Sequence, residues 1–460
     1  MAEPLGVGLV GCGTVGGGVA KLLVEQPDRL ARRSGRPLVL RRVAVRDPGK
    51  PRPVVLPPGV LTTDPREVLT DPGVHVVVEL VGGTTVARRV VLDALAAGKH
   101  VVTANKALLA EAGAEVFEAA RAAGRAVCFE AAVAGGIPII RALGESLAAN
   151  QVTAIQGILN GTSNFILTSM AERGMTYPAA LAEAQRLGYA EADPTLDVDG
   201  SDAAHKLSVL AQIAFGVAAR ADQIERHGID TLDAQDIRFA TELGYTIKLL
   251  AEAWTSDAES QVVKSASSQA AAEKGSDDPR RDDVKTVALH VAPVLLRRTD
   301  LLAQVRGAFN AISVHGDVVG ETLYQGPGAG MMPTASSVVA DLIDLAVGRA
   351  QATFAAARLW SREGKGFVVE PVERVRSRFY LRLTVADRPG VLADITRILA
   401  DEGISISSVV QHEAGEGATE PVTLVILTHT AQTGRFRAAL RKIAALPAVA
   451  TPPVSYAMGD

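Results

Sequence analysis

The sequence predicts an α/β protein of 460 residues, with an N-terminal doubly wound parallel sheet, a central α+β region and a C-terminal βαββαβ unit. Three observations predict this organisation. Up to about residue 150, short apolar strands alternate with helical patterns, which is typical of a parallel sheet with helices on both faces. From 151 to 345 the alternation is lost. From 378 to 460 the patterns follow the order strand, helix, strand, strand, helix, strand.

The first region opens with a glycine-rich turn between a strand and a helix. The apolar strand Leu5–Val10 is followed by GCGTVG and then by apolar residues at helical spacing. In such a turn the glycines permit a tight bend, a close approach to pyrophosphate and close helix packing, while the helix N-terminus supplies phosphate donors. A glycine turn without a ligand is the alternative. We expect a Rossmann-type dinucleotide site, and its residues are Gly11, Gly13, Thr14, Val15 and Gly16.

The end of the second predicted strand bears on the cofactor. The strand covers 38–45 and is followed by Arg46 and Asp47, with Lys50 and Arg52 close behind. An acid at this position binds the ribose 2′-hydroxyl of NAD, whereas a cation accepts the 2′-phosphate of NADP. Arg46 takes the strand-end position, which favours NADP and leaves NAD open. Lys50 and Arg52 alone also fit a solvated basic loop.

Two later strands end in polar or glycine-rich segments. Strand 74–80 leads into Gly82, and strand 100–103 ends at Thr103, shortly before Lys106. Ligands of open parallel sheets bind at the carboxyl edge of the strands. We therefore place Gly82, Thr103 and Lys106 beside the cofactor, with Lys106 as a candidate catalytic residue.

Composition and charge exclude several classes of partner. The chain is 48% hydrophobic and 21% charged, with a formal net charge of -4, so it does not attract nucleic acid or anionic membranes. It has no basic-then-apolar leader, and no apolar run approaches the roughly 20 residues of a membrane helix. Only Cys12 and Cys128 occur, which provides neither metal spacing nor a disulfide framework. We expect a cytoplasmic enzyme.

The central region carries the most specific chemical pattern. Residues 187–206 read LGYAEADPTLDVDGSDAAHK, and a helix is predicted from Ser201. Asp202 and Lys206 are one helical turn apart, on the same face as the apolar side chains that follow. Those side chains are Val209, Leu210 and Ile213. An ion pair that faces the interior indicates a cleft, whereas an ordinary surface ion pair is the alternative.

Other elements of this region are predicted from their patterns. We expect a strand at 152–159, helices at 201–215 and 237–253, and strands near 285–318. Residues 256–283 are rich in Ser, Ala, Asp, Glu and Lys without apolar periodicity, which predicts an exposed insertion or mobile loop. The substrate-binding and dimerisation domain is expected to span 151–345, with a possible return to the first domain near 320–350.

A small unit follows a linker that we assign to 346–377. The turn Asp387, Arg388, Pro389 and Gly390 opens a helix, 391–401. Strands at 404–411 and 422–429, a helix at 435–446 and a strand near 454 complete the unit. It resembles an ACT domain, a module that binds amino acids between paired copies. The free donors of the helix N-terminus suit a carboxylate effector at this turn, and a dimerisation module without a ligand is the alternative.

Taken together, the motifs resemble bacterial homoserine dehydrogenases of the monofunctional, ACT-bearing type. No aspartokinase-like region precedes the nucleotide fold, so we do not expect the fused bifunctional form, and the longer, more polar stretch 256–283 is the one visible departure. The matching segments are GLVGCGTVGGGV, VAVRD, ELVGG, TANKALLA, FEAAVAGGIPII, GILNGTSNFIL, LGYAEADPTLDVDGSDAAHKL, LGYTIKLLA and GPGAGMMPTASSVVADL.

This resemblance implies reversible reduction of L-aspartate 4-semialdehyde to L-homoserine with NADPH or NADH, on the route to threonine, methionine and isoleucine. Hydride delivery to the aldehyde carbon leaves negative charge on oxygen, and Lys206 suits the role of proton donor. Asp202 would orient Lys206. The family resemblance places Lys106 beside substrate and nicotinamide, and Glu191 on the substrate amino group.

Further site residues are implied by the same resemblance. Asn160, Gly161 and Thr162 would line the substrate and nicotinamide pocket, and Gly328 would close it. We assign Asp197 to the substrate. Capping of backbone groups or binding of water is the alternative for Asp197 and for two nearby loop aspartates. These two are Asp193 and Asp199.

The resemblance also implies a structural monovalent cation, a regulator and an oligomer. Glu130 and the carbonyls of Val133, Gly135 and Ile137 would hold the cation, and Na⁺ is the expected ion. Threonine is the expected effector, and a homodimer or homotetramer the expected assembly. Two alternatives remain: a nucleotide-binding sensor without catalysis, and an oxidoreductase for another small amino or oxo acid.

Overall fold

The computed structural model describes residues 3–255, 285–361, 367–411 and 421–459. The predicted insertion at 256–283 lies outside these residues.

The N-terminal sheet is parallel throughout and has the strand order β3-β2-β1-β4-β5-β6. Because the order reverses beside β1, a crevice forms at the carboxyl ends of β1 and β4, where dinucleotides bind in this topology. The predicted doubly wound sheet is confirmed. Its strands are β1 Leu5–Val10, β2 Leu38–Ala44, β3 Leu61–Thr62, β4 Val76–Glu79, β5 His100–Thr103 and β6 Val127–Cys128.

Helices cover this sheet because its inner strands are apolar on both faces. All six residues of β1 and all four of β4 are buried, as expected for parallel strands between helical layers. The helices of this region are α1 Thr14–Glu25, α2 Pro27–Ser34, α3 Pro65–Thr70, α4 Thr85–Ala96 and α5 Lys106–Ala122.

The central region is an antiparallel sheet packed against helices, in the order β12-β11-β7-β9-β10. Its strands are β7 Val152–Ile158, β8 Glu225–Arg226, β9 Tyr245–Thr255, β10 Thr286–Arg297, β11 Phe309–Gly316 and β12 Gly320–Pro327. Its helices are α6 Ile139–Arg141, α7 Gly161–Arg173, α8 Tyr177–Arg186, α9 Thr195–Val198, α10 Ser201–Phe215 and α11 Ala234–Glu242. Helices α7, α10 and α11 all pack on β9.

One helix prediction is wrong. The sequence predicts a helix over 237–253, but α11 ends at Glu242 and β9 begins at Tyr245. Between them, Gly244 adopts a left-handed conformation with φ 85°, which ends the helix. Most of β9 is buried between its two neighbouring strands and the helices, so its sequence is a mostly apolar run that includes the buried Lys248 and Glu252. Such a run does not distinguish a buried strand from a helix.

After β12 the chain passes back to the first sheet. Helix α12, Met331–Val347, packs on α1 through Ala335, Val338 and Leu342. Helix α13, Arg349–Ala357, follows within the stretch predicted as a linker, and its Phe354 stacks on Phe117 of α5. In the described part of the chain no single helix is long and apolar enough to cross a membrane; α12 and α13 meet that criterion only as a pair, across a 93° bend.

The C-terminal unit has the predicted βαββαβ order, with a sheet order β18-β14-β16-β15. Its last strand also pairs in parallel with β10, through Val294 with Ala457 and Leu295 with Met458. The C-terminal sheet is therefore continuous with the central sheet. The remaining elements are β13 Val368–Val369, β14 Arg376–Val385, α14 Val391–Asp401, β15 Ile406–Gln411, β16 Val422–Thr428, β17 Ala431–Gln432, α15 Thr433–Ala444 and β18 Val454–Met458.

Candidate active site

Asp202 and Lys206 form a buried ion pair in the first two turns of α10. The Lys206 Nζ donates hydrogen bonds of 2.6 Å to Asp202 Oδ2 and of 2.6 Å to the Leu159 carbonyl oxygen. Lys206 is only 8% exposed. The predicted pair therefore faces the interior, where both of its charges are held by specific partners.

The structure adds a second lysine to the same carboxylate. Lys106, the first residue of α5, places its Nζ 3.0 Å from Asp202 Oδ1. Helix α5 follows the strand β5 of the dinucleotide sheet and packs on α10 of the central region. Asp202 therefore joins ammonium groups from both regions, at the carboxyl edge of the first sheet.

The three charges shift each other's pKa in different directions. Burial raises the pKa of the Asp202 carboxyl, but the charges of Lys206 and Lys106 lower it by more, so the net pKa lies well below its usual range. Burial lowers the pKa of Lys206, and the attraction of Asp202 only partly offsets this. The charge of Asp202 raises the pKa of Lys106, against the effect of burial. Lys206 is therefore the easier of the two to deprotonate.

Asn160 connects this cluster to α7 and to the acidic loop. Its Nδ2 donates to Asp197 Oδ1 at 2.8 Å and to Asp202 Oδ2 at 3.0 Å. Its Oδ1 accepts from Ser163 N at 2.8 Å and so caps α7. Burial raises the pKa of Asp197. Two of the predicted substrate residues, Asn160 and Asp197, therefore contact the lysine and aspartate cluster directly or through one side chain.

Glycines allow the backbone to approach closely around this cluster. A Cβ on Gly161 would lie 2.6 Å from the Ala308 carbonyl oxygen, and one on Gly328 would lie 2.1 Å from the Asn310 side chain. Any larger residue would displace these segments. The neighbouring Thr162 donates its hydroxyl to the Tyr189 carbonyl oxygen at 2.7 Å, which ties α7 to the loop that leads to the acidic residues.

Asn310 is a site residue that the sequence did not identify. It is 1% exposed and donates from Nδ2 to the Leu159 carbonyl oxygen at 2.9 Å, the same oxygen that accepts from Lys206. Its Oδ1 is buried without a hydrogen-bond partner among the described residues. The one available signal was an amide side chain at the second position of the largely buried strand β11.

Not every predicted loop carboxylate reaches the cluster. Asp193 accepts from the backbone N and the hydroxyl of Thr195, and Asp199 does the same for Ser201. Both therefore act as local caps, which was the alternative for loop aspartates. Glu191 is exposed, and its side chain is not among the groups that contact Lys206 or Asp202 in the described part of the chain.

The glycine turn has the geometry that a pyrophosphate site needs. Gly11 has φ 99°, and a Cβ there would lie 2.6 Å from the Leu80 carbonyl oxygen. A Cβ on Gly16 would lie 2.2 Å from the Gly11 carbonyl oxygen, whereas one on Gly13 would meet no atom within 4 Å. Gly11 and Gly16 are thus needed by the fold itself, while Gly13 leaves open space above the N-terminus of α1. Thr14 and Val15 begin that helix.

The basic loop after β2 lies beside this turn. Arg46 and Lys50 are exposed. Arg52 is half-buried and donates to the carbonyl oxygens of residues 47, 48 and 50. Burial raises the pKa of the Cys12 thiol in the turn, and the nearby charge and hydrogen bond of Arg52 partly offset this. Arg52 therefore orders the loop instead of being freely solvated.

Gly82 and Thr103 meet at the carboxyl edge of the first sheet. Two side chains to which the sequence assigned no individual role hold this edge together. The buried Glu79 accepts from the Thr103 hydroxyl at 2.7 Å and from the Gly82 backbone N at 3.2 Å. Asn105 donates to the Gly83 carbonyl oxygen at 2.7 Å and caps α5. Glu79 and Asn105 therefore fix the strand ends from which Lys106 projects.

The loop predicted to hold a cation is tightly folded. Both carboxylate oxygens of Glu130 accept backbone N–H groups, from Ile140 at 2.9 Å and from Arg141 at 3.0 Å. Burial raises the pKa of Glu130 to about 7, although these hydrogen bonds oppose the shift. The carboxylate is therefore engaged within the fold. Among the described residues, no group of three or more His, Cys, Asp or Glu side chains is arranged to hold a metal ion.

A cation in this loop would depend on main-chain carbonyls. The Gly135 carbonyl oxygen accepts from the Ser337 hydroxyl at 2.6 Å, and that of Ile137 accepts from the Ile139 backbone N at 2.8 Å. Ala134, between Val133 and Gly135, has an uncommon φ of 48°. Each carbonyl oxygen has a second lone pair, so Val133, Gly135 and Ile137 remain compatible with a weakly hydrated monovalent ion.

The predicted effector turn is exposed at the start of α14. Asp387, Arg388, Pro389 and Gly390 all lie at the surface, and Gly390 caps the helix with φ 94°. In the described structure no side-chain hydrogen bond caps this N-terminus, which leaves its first backbone N–H groups available to a ligand.

Family models match three consecutive segments of the chain. The NAD-binding domain of homoserine dehydrogenase matches residues 11–130, the homoserine dehydrogenase domain matches 138–343, and the ACT domain matches 379–447. The chain belongs to the homoserine dehydrogenase family. It is therefore an NAD(P)-dependent oxidoreductase that acts on a CH–OH group, and it carries a C-terminal ACT domain.

Relatives agree over the full length. A homoserine dehydrogenase of Pseudomonas aeruginosa is 43% identical over 457 residues, which is 98% of either chain. The crystal structure of a homoserine dehydrogenase from Thiobacillus denitrificans is 45% identical and superposes with a TM-score of 0.85 over 100% of this chain and 99% of that one. A hyperthermophilic archaeal homoserine dehydrogenase in complex with NADPH is 26% identical, with a TM-score of 0.56, over 74% of this chain and 97% of that one.

Proposed function

We propose that the enzyme interconverts L-aspartate 4-semialdehyde and L-homoserine, on the route to threonine, methionine and isoleucine in the cytoplasm. One observation carries this proposal. Asp202 binds two lysines where the carboxyl edge of the dinucleotide sheet meets the central region. A sensor without catalysis would not need two ammonium groups held on one buried carboxylate at that junction.

Lys206 acts as the proton donor in the reduction. When bound, the reduced nicotinamide supplies the hydride, and the substrate oxygen that gains negative charge takes a proton from Lys206 Nζ. In the oxidation Lys206 must be neutral to accept the hydroxyl proton. The burial that lowers its pKa makes this neutral form accessible closer to physiological pH.

Asp202 and Lys106 prepare the site for this transfer. Asp202 orients the Lys206 ammonium, and its negative charge keeps Lys106 protonated. A permanently charged Lys106 stabilises negative charge on the substrate without taking part in proton exchange.

Polar groups around this pair bind the substrate. Asn160, Gly161, Thr162 and Asp197 shape the pocket from the start of α7 and from α9. Glu191 binds the substrate ammonium group. It is exposed in this structure, so its carboxylate is accessible to a ligand.

The cofactor binds along the edge of the first sheet, and we propose NADP as the preferred form, with NAD as the alternative. Gly11, Gly13, Thr14, Val15 and Gly16 hold the pyrophosphate. The cations at the end of β2 favour the 2′-phosphate, and these are Arg46 and Lys50. The nicotinamide end contacts Gly82, Thr103, Lys106 and Gly328.

A monovalent cation, Na⁺, is proposed as a structural ion in the loop after β6. The Glu130 carboxylate and the carbonyls of Val133, Gly135 and Ile137 would hold it. Glu130 supports that loop through its backbone hydrogen bonds.

Regulation and assembly complete the proposal. Threonine binds at the turn Asp387, Arg388, Pro389 and Gly390 and inhibits the enzyme, which works as a homodimer or homotetramer. The proposed domains are 1–150 for the cofactor, with a return of the chain near 320–350, 151–345 for substrate and dimerisation, and 378–460 for regulation.

The decisive experiment follows NADPH absorbance with purified, folded enzyme. Oxidation should require aspartate semialdehyde and should be slower with homologous aldehydes. The reverse reaction, with homoserine at high pH, should be compared for NADP and NAD, with and without threonine. A folded enzyme that is inert in both directions would contradict the proposal.

A further inference from the structure

Another buried lysine lies in the central region and has no part in the proposed proton transfer. Lys248, in β9, is 3% exposed. Its Nζ donates to Asn164 Oδ1 at 2.9 Å and to the Val305 carbonyl oxygen at 2.5 Å. Lys248 therefore joins β9 to α7 and to the segment between β10 and β11.

Asn164 extends this connection over the whole segment. It is 1% exposed, and its Nδ2 lies within hydrogen-bond distance of the carbonyl oxygens of residues 305, 307 and 309, at 3.3, 3.0 and 3.2 Å. Thr168, one turn further along α7, accepts from the Gly307 backbone N at 3.2 Å. Segment 305–309 is thus held to α7 through polar contacts along its length.

Segment 305–309 is connected to Lys206 through Asn310 and the Leu159 carbonyl. Residue 309 precedes Asn310, which donates to the Leu159 carbonyl oxygen. That oxygen also accepts the 2.6 Å hydrogen bond from Lys206. A continuous path of hydrogen bonds and one short stretch of backbone therefore connects Lys248 to Lys206.

Burial of the Lys248 ammonium group lowers the stability of the fold, which indicates that this lysine has a functional role. Its hydrogen-bond partners among the described residues, the Asn164 amide and the Val305 carbonyl, include no carboxylate. The charged groups that face it are Glu172 of α7 and Arg306, and these two pair with each other at 3.0 Å. Burial lowers the pKa of Lys248 to about 8, because the charged form loses its hydration. An apolar side chain of the same length would avoid this cost, but the Val305 carbonyl would keep only the longer, 3.3 Å contact from Asn164 Nδ2.

We propose that Lys248 is a positioning residue for catalysis. Together with Asn164 it holds segment 305–309, so that Asn310 fixes the Leu159 carbonyl against which the Lys206 ammonium is bonded. This inference rests on the proposed role of Lys206 as proton donor.

Release of the segment should affect Lys206 in a defined direction. The Leu159 carbonyl accepts a hydrogen bond from the ammonium form of Lys206 and so favours that form. If the carbonyl moves away, the pKa of Lys206 falls. In homoserine oxidation, which needs neutral Lys206, the rise of kcat with pH then begins at lower pH, while kcat itself falls because the lysine is less well placed.

The test compares Lys248→Met with a matched control, Lys99→Met. Lys99 is also buried, at 6% exposure, and donates to two carbonyl oxygens, of Asp71 at 2.8 Å and Val74 at 2.6 Å. It lies directly before β5, at the amino edge of the first sheet. For Lys248→Met we expect kcat to fall about tenfold, the pH profile to shift down by about half a unit, and nucleotide Kd to change less than about twofold. Lys99→Met should change only the melting temperature.

A second variant guards against misfolding. In Asn164→Asp the new carboxylate still pairs with Lys248 but no longer donates to the segment carbonyls, so we expect a folded enzyme with the same fall in kcat and shift of the pH profile. Folded variants whose kcat and pH profile match those of the wild type would overturn this inference but not the proposed function. A wild-type enzyme inert toward homoserine would overturn the proposed function, and this inference with it.

Discussion

At the residue scale, Asp202 forms two ion pairs, whereas an ordinary helix ion pair joins only two side chains of one helix. One carboxylate binds Lys206 of its own helix and Lys106 of another region, at 2.6 and 3.0 Å. The two lysines differ in pKa. Burial lowers the pKa of Lys206, whereas the charge of Asp202 raises the pKa of Lys106. The spacing of Asp202 and Lys206 was visible in the sequence. Lys106, the second lysine bound by Asp202, lies 96 positions before it and was not assigned to the pair because no local pattern links them.

Replacement of the proton donor should separate chemistry from binding. In Lys206→Ala we expect kcat to fall about 1,000-fold, because a positioned acid is lost, while nucleotide affinity stays nearly unchanged. Steady-state kinetics and a fluorescence titration with NADPH measure the two quantities. An equal loss of both would reassign Lys206 to binding.

The pH profile of homoserine oxidation should report the Lys206 environment. Asp202 raises the pKa of Lys206, so Asp202→Asn should lower that pKa, and kcat should begin to rise at lower pH than in the wild type. The alkaline limb of the reduction should move in the same direction, because it follows loss of the same proton. Profiles of kcat in both directions provide the measurement, and a shift to higher pH would contradict the assignment.

At the element scale, the glycine turn separates residues needed by the fold from residues needed by the ligand. A Cβ on Gly16 would collide with the Gly11 carbonyl, whereas one on Gly13 meets open space. The motif predicted the site of this turn correctly. The strand β9 was mistaken for a helix because its apolar run has no strand-like alternation, and only its pairing with β7 and β10 identifies it.

Three glycine variants should behave differently. Gly16→Ala should lower the melting temperature and weaken NADPH binding, because the turn must open. Gly13→Ala should keep the melting temperature but weaken NADPH at least about tenfold, since its methyl group occupies the space for phosphate. Gly144→Ala, which also meets no atom within 4 Å, serves as the control and should change neither. Thermal melts and nucleotide titrations distinguish these outcomes; full NADPH affinity in Gly13→Ala would place the phosphate elsewhere.

At the scale of the whole molecule, the C-terminal unit is built into the central one. Strand β18 continues the central sheet through β10. The fully buried Asp236 of α11 binds Arg382 of β14 through Nε at 2.6 Å and Nη2 at 2.9 Å, and accepts from the Tyr380 hydroxyl at 2.9 Å. Because α11 also packs on α7, the C-terminal unit is connected through α11 to the helix that begins at the proposed substrate residues.

Removal of the residues after about 370 should abolish threonine inhibition while catalysis persists, since the proposed effector turn is lost and the catalytic cluster is not. The truncation exposes β10 and leaves Asp236 without Arg382, so a lower melting temperature is also expected. Initial rates with increasing threonine, together with thermal melts, measure both effects. Inhibition that survives in a folded truncated enzyme would place the threonine site elsewhere.

The sequence by itself determined the order of most strands and helices, the nucleotide turn, the inward-facing Asp202 and Lys206, and the family. These features depend on spacing within a few residues, where helix and strand periodicity act directly. The tertiary structure alone decided that β9 is a strand, that Asp202 binds Lys106, that Asn310 shares the Leu159 carbonyl with Lys206, and that the C-terminal sheet joins the central one. Each of these depends on strand pairing or packing between distant segments, which no local pattern encodes.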